Sequence, residues 1–96
     1  MTPAAWYEHV ILGLQRFVAN RPEDFRELFS DHALIESLGI SSILNIPVIE
    51  KGKVLGTINI LGPKDHFTPQ ILERYQAAMM LRYEALVQAM KADVGA

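Results

Sequence analysis

Residues 30–61 read SDHALIESLGISSILNIPVIEKGKVLGTINIL, and this stretch decides the fold. Ser30 or Asp31 caps a short helix carrying Leu34, Ile35 and Leu38, and Gly39 supplies the left-handed residue that stops it. Two runs rich in Ile, Val and Leu follow, at 42–50 and 53–62. Lys51-Gly52 between them has the length of a two-residue hairpin loop, which sets Glu50 opposite Lys53. With that register, one face carries Leu44, Ile46, Val48, Leu55, Thr57 and Asn59. The other carries Ile43, Asn45, Pro47, Ile49, Val54, Gly56, Ile58 and Ile60. Both faces are largely apolar, so both need cover, from helices on each side or from a partner on one. Pro47 has no N–H, so its nitrogen faces away from the neighbouring strand or sits at a bulge.

Helices are expected on either side of this hairpin. Thr2-Pro3 and Thr68-Pro69 each place a capping hydroxyl before a proline at the first helical position. The first opens an amphipathic helix over 3–14 with Trp6, Tyr7, Val10, Ile11 and Leu14 on one side. The second opens a long helix to about Met90, striped by Leu72, Tyr75, Met79, Tyr83, Leu86 and Met90. Arg16 to Asn20 reads as a short edge strand. Pro22 opens a further helix whose acidic first turn, Glu23 and Asp24, suits the helix dipole and whose apolar face is Phe25, Leu28 and Phe29.

Composition narrows the function. Ninety-six residues make one domain, and a chain of this size buries only about 60–65% of its unfolded surface. Half the residues are apolar and the net charge is −2 without a Lys/Arg cluster, which argues against nucleic acid as a partner. There is no cysteine, so a disulfide framework, a thiolate zinc site and a cysteine nucleophile are excluded; the same fact fits a cytoplasmic setting. The N-terminus lacks the pattern of a signal peptide, and no apolar run reaches the ~20 residues of a membrane span.

Catalytic and metal motifs are lacking. His9, His32 and His66 show no i, i+4 ligand pair, and the serines stand outside a nucleophile elbow. No catalytic residue, metal ligand or cofactor is assigned. The polar residues inside the apolar strands are more informative. Thr57 and Asn59 share a face in the expected register, where they either line a pocket or tie down a neighbouring loop; Asn45 falls on the other face with a structural role. Trp6, Tyr7, Phe25 and Phe29 form an aromatic set that either roofs a ligand or belongs to the core.

Leu38 to Val48 follows the pattern Leu-Gly-x-x-Ser-x-Leu-Asn-x-Pro-Val, and Gly52 to Leu61 the next strand, Gly-Lys-Val-Leu-Gly-Thr-Ile-Asn-Ile-Leu. In this order, and followed by a long helix from Thr68, they resemble the later part of a GAF domain. The resemblance implies an α+β fold, a small antiparallel sheet flanked by helices in three layers. A complete GAF domain opens with a helix and two strands beside the equivalent of 53–62. The resemblance thus implies a single domain over 1–96 that lacks those strands and leaves 53–62 with an open edge. Such edges invite pairing, so a homodimer is expected, through that edge or through the 68–90 helix.

The family binds cyclic nucleotides, tetrapyrroles and small metabolites and signals by shifting helices at a dimer interface. Its cysteine-dependent chemistries are excluded here. The resemblance therefore implies a non-enzymatic sensory or regulatory module. A small molecule would lie between the sheet and residues 22–38, with Phe25 and Phe29 as walls and Thr57 and Asn59 as polar anchors. The other reading is an interaction module that self-associates without a ligand.

Overall fold

The structure, a computed structural model, describes the backbone of residues 1–95 and side chains to residue 92. Among these residues three strands form one antiparallel sheet in the order β1-β2-β3, with β1 at Phe17–Ala19, β2 at Ser42–Glu50 and β3 at Lys53–Gly62. Helices cover both faces, giving the three-layer α+β arrangement expected. Helix α1 (Pro3–Tyr7), a π-helical turn (Glu8–Leu12) and two 3₁₀ turns (Pro22–Asp24, Arg26–Leu28) lie on one side. Helix α2 (His32–Ser37) leads into β2, and α3 (Pro69–Gly95) lies across the other side.

The hairpin closes as expected. Lys51 and Gly52 both have positive φ, 52° and 76°, the pair a tight turn with right-handed twist requires, and Glu50 faces Lys53. Beyond the turn the expected register fails. Ile49 pairs with Val54 but Val48 pairs with Gly56, so Leu55 is an extra residue on β3. This bulge reverses the facing of everything after it on β3. Leu44, Ile46 and Val48 therefore share their face with Gly56, Ile58 and Ile60, whereas Asn45 and Pro47 stand opposite Asn59 and Thr57. The assignment of Asn45 to the face opposite Thr57 and Asn59 is corrected accordingly.

Each face has its own core. On the α1 side Val10, Phe17, Ala19, Phe25 and Ile43 are buried together, with Trp6, Ile11, Leu28, Phe29 and Ile35 packed around them. On the α3 side Leu44, Val48 and Val87 are buried. α3 packs closely over Gly56, where a Cβ would stand 3.2 Å from the Met90 sulfur.

Both Thr-Pro caps form. Thr2 Oγ1 accepts from Ala5 N–H at 3.2 Å and Thr68 Oγ1 from Ile71 N–H at 3.3 Å. Other local expectations are corrected. The segment after Pro22 forms two 3₁₀ turns rather than an α-helix, with Phe25 between them at φ −130° and fully buried. A segment this short gains little from helical hydrogen bonds, and burying Phe25 sets its path. Helix α2 has no side-chain cap; it starts with Ile35 N–H bonding the Asp31 carbonyl at 3.2 Å.

Two side chains tie the layers together. Asn20 accepts from Phe67 N–H at 2.9 Å and donates to the Phe67 carbonyl at 3.1 Å, stapling the loop before α3 to the end of β1. The Tyr83 hydroxyl bonds both the N–H and the carbonyl of Ile49 on β2. Among the described residues no helix is long and apolar enough to cross a membrane.

Candidate functional site

On the α1 side of the sheet a cavity of about 410 Å³ opens between the strands and the helical layer. Its floor is Asn45 from β2 with Thr57 and Asn59 from β3, and its walls are Pro3, Trp6, Tyr7, Leu28 and Phe29. The volume lies within the ~300–1,000 Å³ of small-molecule pockets, and the makeup, apolar walls with few convergent polar groups, is typical of them. Among the described residues no charged side chain lines it.

The floor carries a chain of hydrogen bonds with one possible direction. The Trp6 indole N–H donates to Asn45 Oδ1 at 3.0 Å, and Asn45 Nδ2 donates to Asn59 Oδ1 at 2.8 Å. An indole nitrogen is a donor only, so Asn45 must turn its oxygen to Trp6 and its amide nitrogen to Asn59. Asn59 then accepts through its oxygen, and its own NH₂ has no bond to a side chain or backbone among the described residues. Asn45 is only 5% exposed, so the orientation is fixed within the protein, while Asn59 is exposed at the cavity.

Of the four residues expected at a site, the structure brings Phe29, Thr57 and Asn59 to this cavity. Phe25 lies in the core, fully buried, with its ring edge-on to Phe29 at 6.2 Å between centroids. Trp6 and Tyr7 from the aromatic set line the cavity as well. The role of Asn45 was hidden by the register. Gly56 inside an apolar strand is the signal that could have revealed it, because glycine there often marks a bulge.

The remaining polar clusters are dispersed. Among the described residues no three His, Asp or Glu side chains gather as a metal site would require. His32 pairs with Glu36, which also takes two hydrogen bonds from Arg26 at 2.8 and 3.2 Å. The Arg26 hydrogen bonds hold the Glu36 carboxyl below its usual range against the opposing effect of desolvation, and His32 adds to the shift. His66 packs edge-on against Phe67 and Tyr75, near the end of β3.

Among curated proteins and among solved structures nothing matches the chain significantly. The family model of the GAF domain matches residues 6–81, a span that takes in the whole sheet, most of the cavity lining and the first half of α3. The chain belongs to the GAF domain family, a family of regulatory and sensing modules.

Proposed function

We propose that this chain is a small-molecule-sensing or regulatory module without catalytic activity, and that its ligand occupies the cavity above Asn45, Thr57 and Asn59. The observation that carries the reading is the directed chain Trp6–Asn45–Asn59. It leaves a pair of amide donors, fixed from behind, at the floor of an aromatic-walled cavity. Donors without a nearby cation suit an uncharged acceptor, a carbonyl or a ring nitrogen. Trp6, Tyr7 and Phe29 suit a flat ring. Binding would act by favouring one packing of the helical layer over another.

Native mass spectrometry on freshly purified protein tests this, followed by a Trp6 fluorescence titration with adenine and nicotinamide as uncharged ring probes. The expected result is a retained mass or a saturable Trp6 response that Asn59→Ala abolishes while keeping its circular dichroism. An Asn59→Ala protein that folds and binds with unchanged affinity refutes this site.

A second reading is self-association through α3. Met80 and Leu81 are 72% and 88% exposed, flanked by exposed Arg74 and Glu84. We propose an antiparallel pairing of two copies that sets Ala77 against Leu81 and Arg74 against Glu84 of the second copy, satisfying both charges. Leu81→Lys should then halve the mass in solution, and an unchanged mass refutes this interface.

A further inference from the structure

A second concavity, of about 330 Å³, lies on the other side of the sheet, where β2 runs on past the short β1. Leu44 and Ile46 form its floor, Leu72, Met79 and Met80 of α3 its far wall, and Leu14 and Arg16 its lip. It wraps the outer edge of β2, with Leu44 and Ile46 on the face opposite to Asn45, and with Pro47 and Ile49 at the edge. It shares no lining residue with the cavity above Asn59.

Three features set this groove apart. Among the described residues Arg16 is the one charged side chain in its lining, and it is exposed and makes no ion pair with any of them. Its backbone is fixed, since its carbonyl bonds the His9 imidazole Nε2 at 2.7 Å. The walls are otherwise mostly apolar, with Gln76 and Tyr83 the other polar side chains, and include two methionines, whose unbranched side chains adapt to irregular apolar guests. Leu14 at the lip has φ +57°, a left-handed conformation that a bulky residue adopts only under strain, and such strain concentrates at ligand sites.

We infer that this groove binds an apolar chain ending in a carboxylate, of the size of a medium-chain fatty acid. The carboxylate sits on the Arg16 guanidinium and the chain runs between Ile46 and the methionines of α3. A guanidinium matches a carboxylate through two parallel hydrogen bonds, which a neutral head group does not supply. The volume accommodates on the order of ten non-hydrogen atoms, taking ~30 Å³ each as for liquid water. Because α3 forms one wall, occupancy bears directly on how α3 sits against the sheet. This site is independent of the cavity above Asn59.

The test uses the full chain with ¹³C-labelled methionine methyls and sodium decanoate, kept below its micelle-forming concentration, as probe. The expected result is a saturable shift of the Met79 and Met80 methyls with the Trp6 indole signal unmoved. Arg16→Gln should weaken binding by about tenfold, and decanol should bind wild type about tenfold more weakly than decanoate does. Met80→Glu, at an exposed position of the wall, provides a second variant that should weaken decanoate, through charge repulsion, more than it weakens decanol. The inference is overturned by no saturable shift at Met79 and Met80, by a response at Trp6 alone, or by decanoate affinity that neither variant changes.

Discussion

Asn45 and Asn59 stand directly opposite one another across the β2–β3 ladder, joined at 2.8 Å, because Leu55 bulges out of β3 as an extra residue. Deleting Leu55 removes the bulge yet keeps every pair beyond it, because Val54 and Gly56 then follow one another opposite Ile49 and Val48. The tight turn at Lys51-Gly52 fixes the register at one end, so Thr57 and Asn59 stay on the cavity face opposite Pro47 and Asn45, and Ile58 and Ile60 stay on the α3 face. The deletion is expected to cost ~1–3 kcal/mol in urea denaturation, from the lost contacts of half-buried Leu55 and the changed local twist, and to keep the Asn45–Asn59 bond. Leu55→Ala keeps the bulge and should cost less. Loss of the Asn45–Asn59 side-chain contact in the deletion variant, read by NMR, would mean that the Lys51-Gly52 turn does not fix the register.

The amide chain behind the cavity makes its own prediction. Asn45→Leu leaves the partly buried Trp6 N–H without its acceptor, at an expected cost of ~1–3 kcal/mol. Trp6→Ala loses packing as well, but the pair in a double-mutant cycle should show a coupling of at least ~0.5 kcal/mol, read from urea midpoints. Additive losses would show that the indole bond contributes nothing measurable.

How far this was legible in the sequence depends on the residue. Thr2, Gly39, Lys51-Gly52 and Thr68 act through the chain within four residues of themselves, and each does what its local chemistry dictates. The alternating apolar strands and the stripe on α3 were equally readable, because periodicity is a property of the sequence. The bulge was not. It depends on how the Gly52 turn, the two sheet faces and Met90 against Gly56 are satisfied together. The stapling by Asn20 was also hidden, since its partner Phe67 lies 47 positions away. Of the candidate site, polar residues in apolar strands marked the floor, but Asn45 and the indole of Trp6 joined it only through the corrected register.

The pair between Arg26 and Glu36 gives a pH dependence. The Glu36 carboxyl titrates below its unfolded value, first because of the Arg26 hydrogen bonds. A depressed carboxylate contributes stability that is present above the unfolded pKa, the usual glutamate range, and is lost as pH falls through the folded value. The pair is exposed to solvent, so the effect on stability is expected to be small and to shrink with salt. Following the Glu36 side-chain carbon by NMR should show its midpoint rise in Arg26→Gln. A midpoint that stays in place would remove Arg26 as the cause.

Tyr83 carries the sharpest stability prediction. β2 is bordered by β1 only over Ile43 to Asn45, so beyond that its outer edge has no strand beside it. Backbone groups of alternate residues point to that edge. Pro47 stands there without cost, because it has no N–H to leave unpaired. Ile49, two residues on, does have one, and the Tyr83 hydroxyl accepts from it and donates to the Ile49 carbonyl, each at 2.6 Å. One phenol thus does the work of a neighbouring strand and fastens α3 to the sheet edge. Tyr83→Phe keeps the ring and removes both bonds, at an expected cost of ~1–3 kcal/mol, towards the lower end if water reaches the freed groups. Amide exchange at Ile49 should accelerate while exchange at Ile43, which lies under β1, follows only the global change in stability. Unchanged protection at Ile49 would mean that something other than Tyr83 shields this edge.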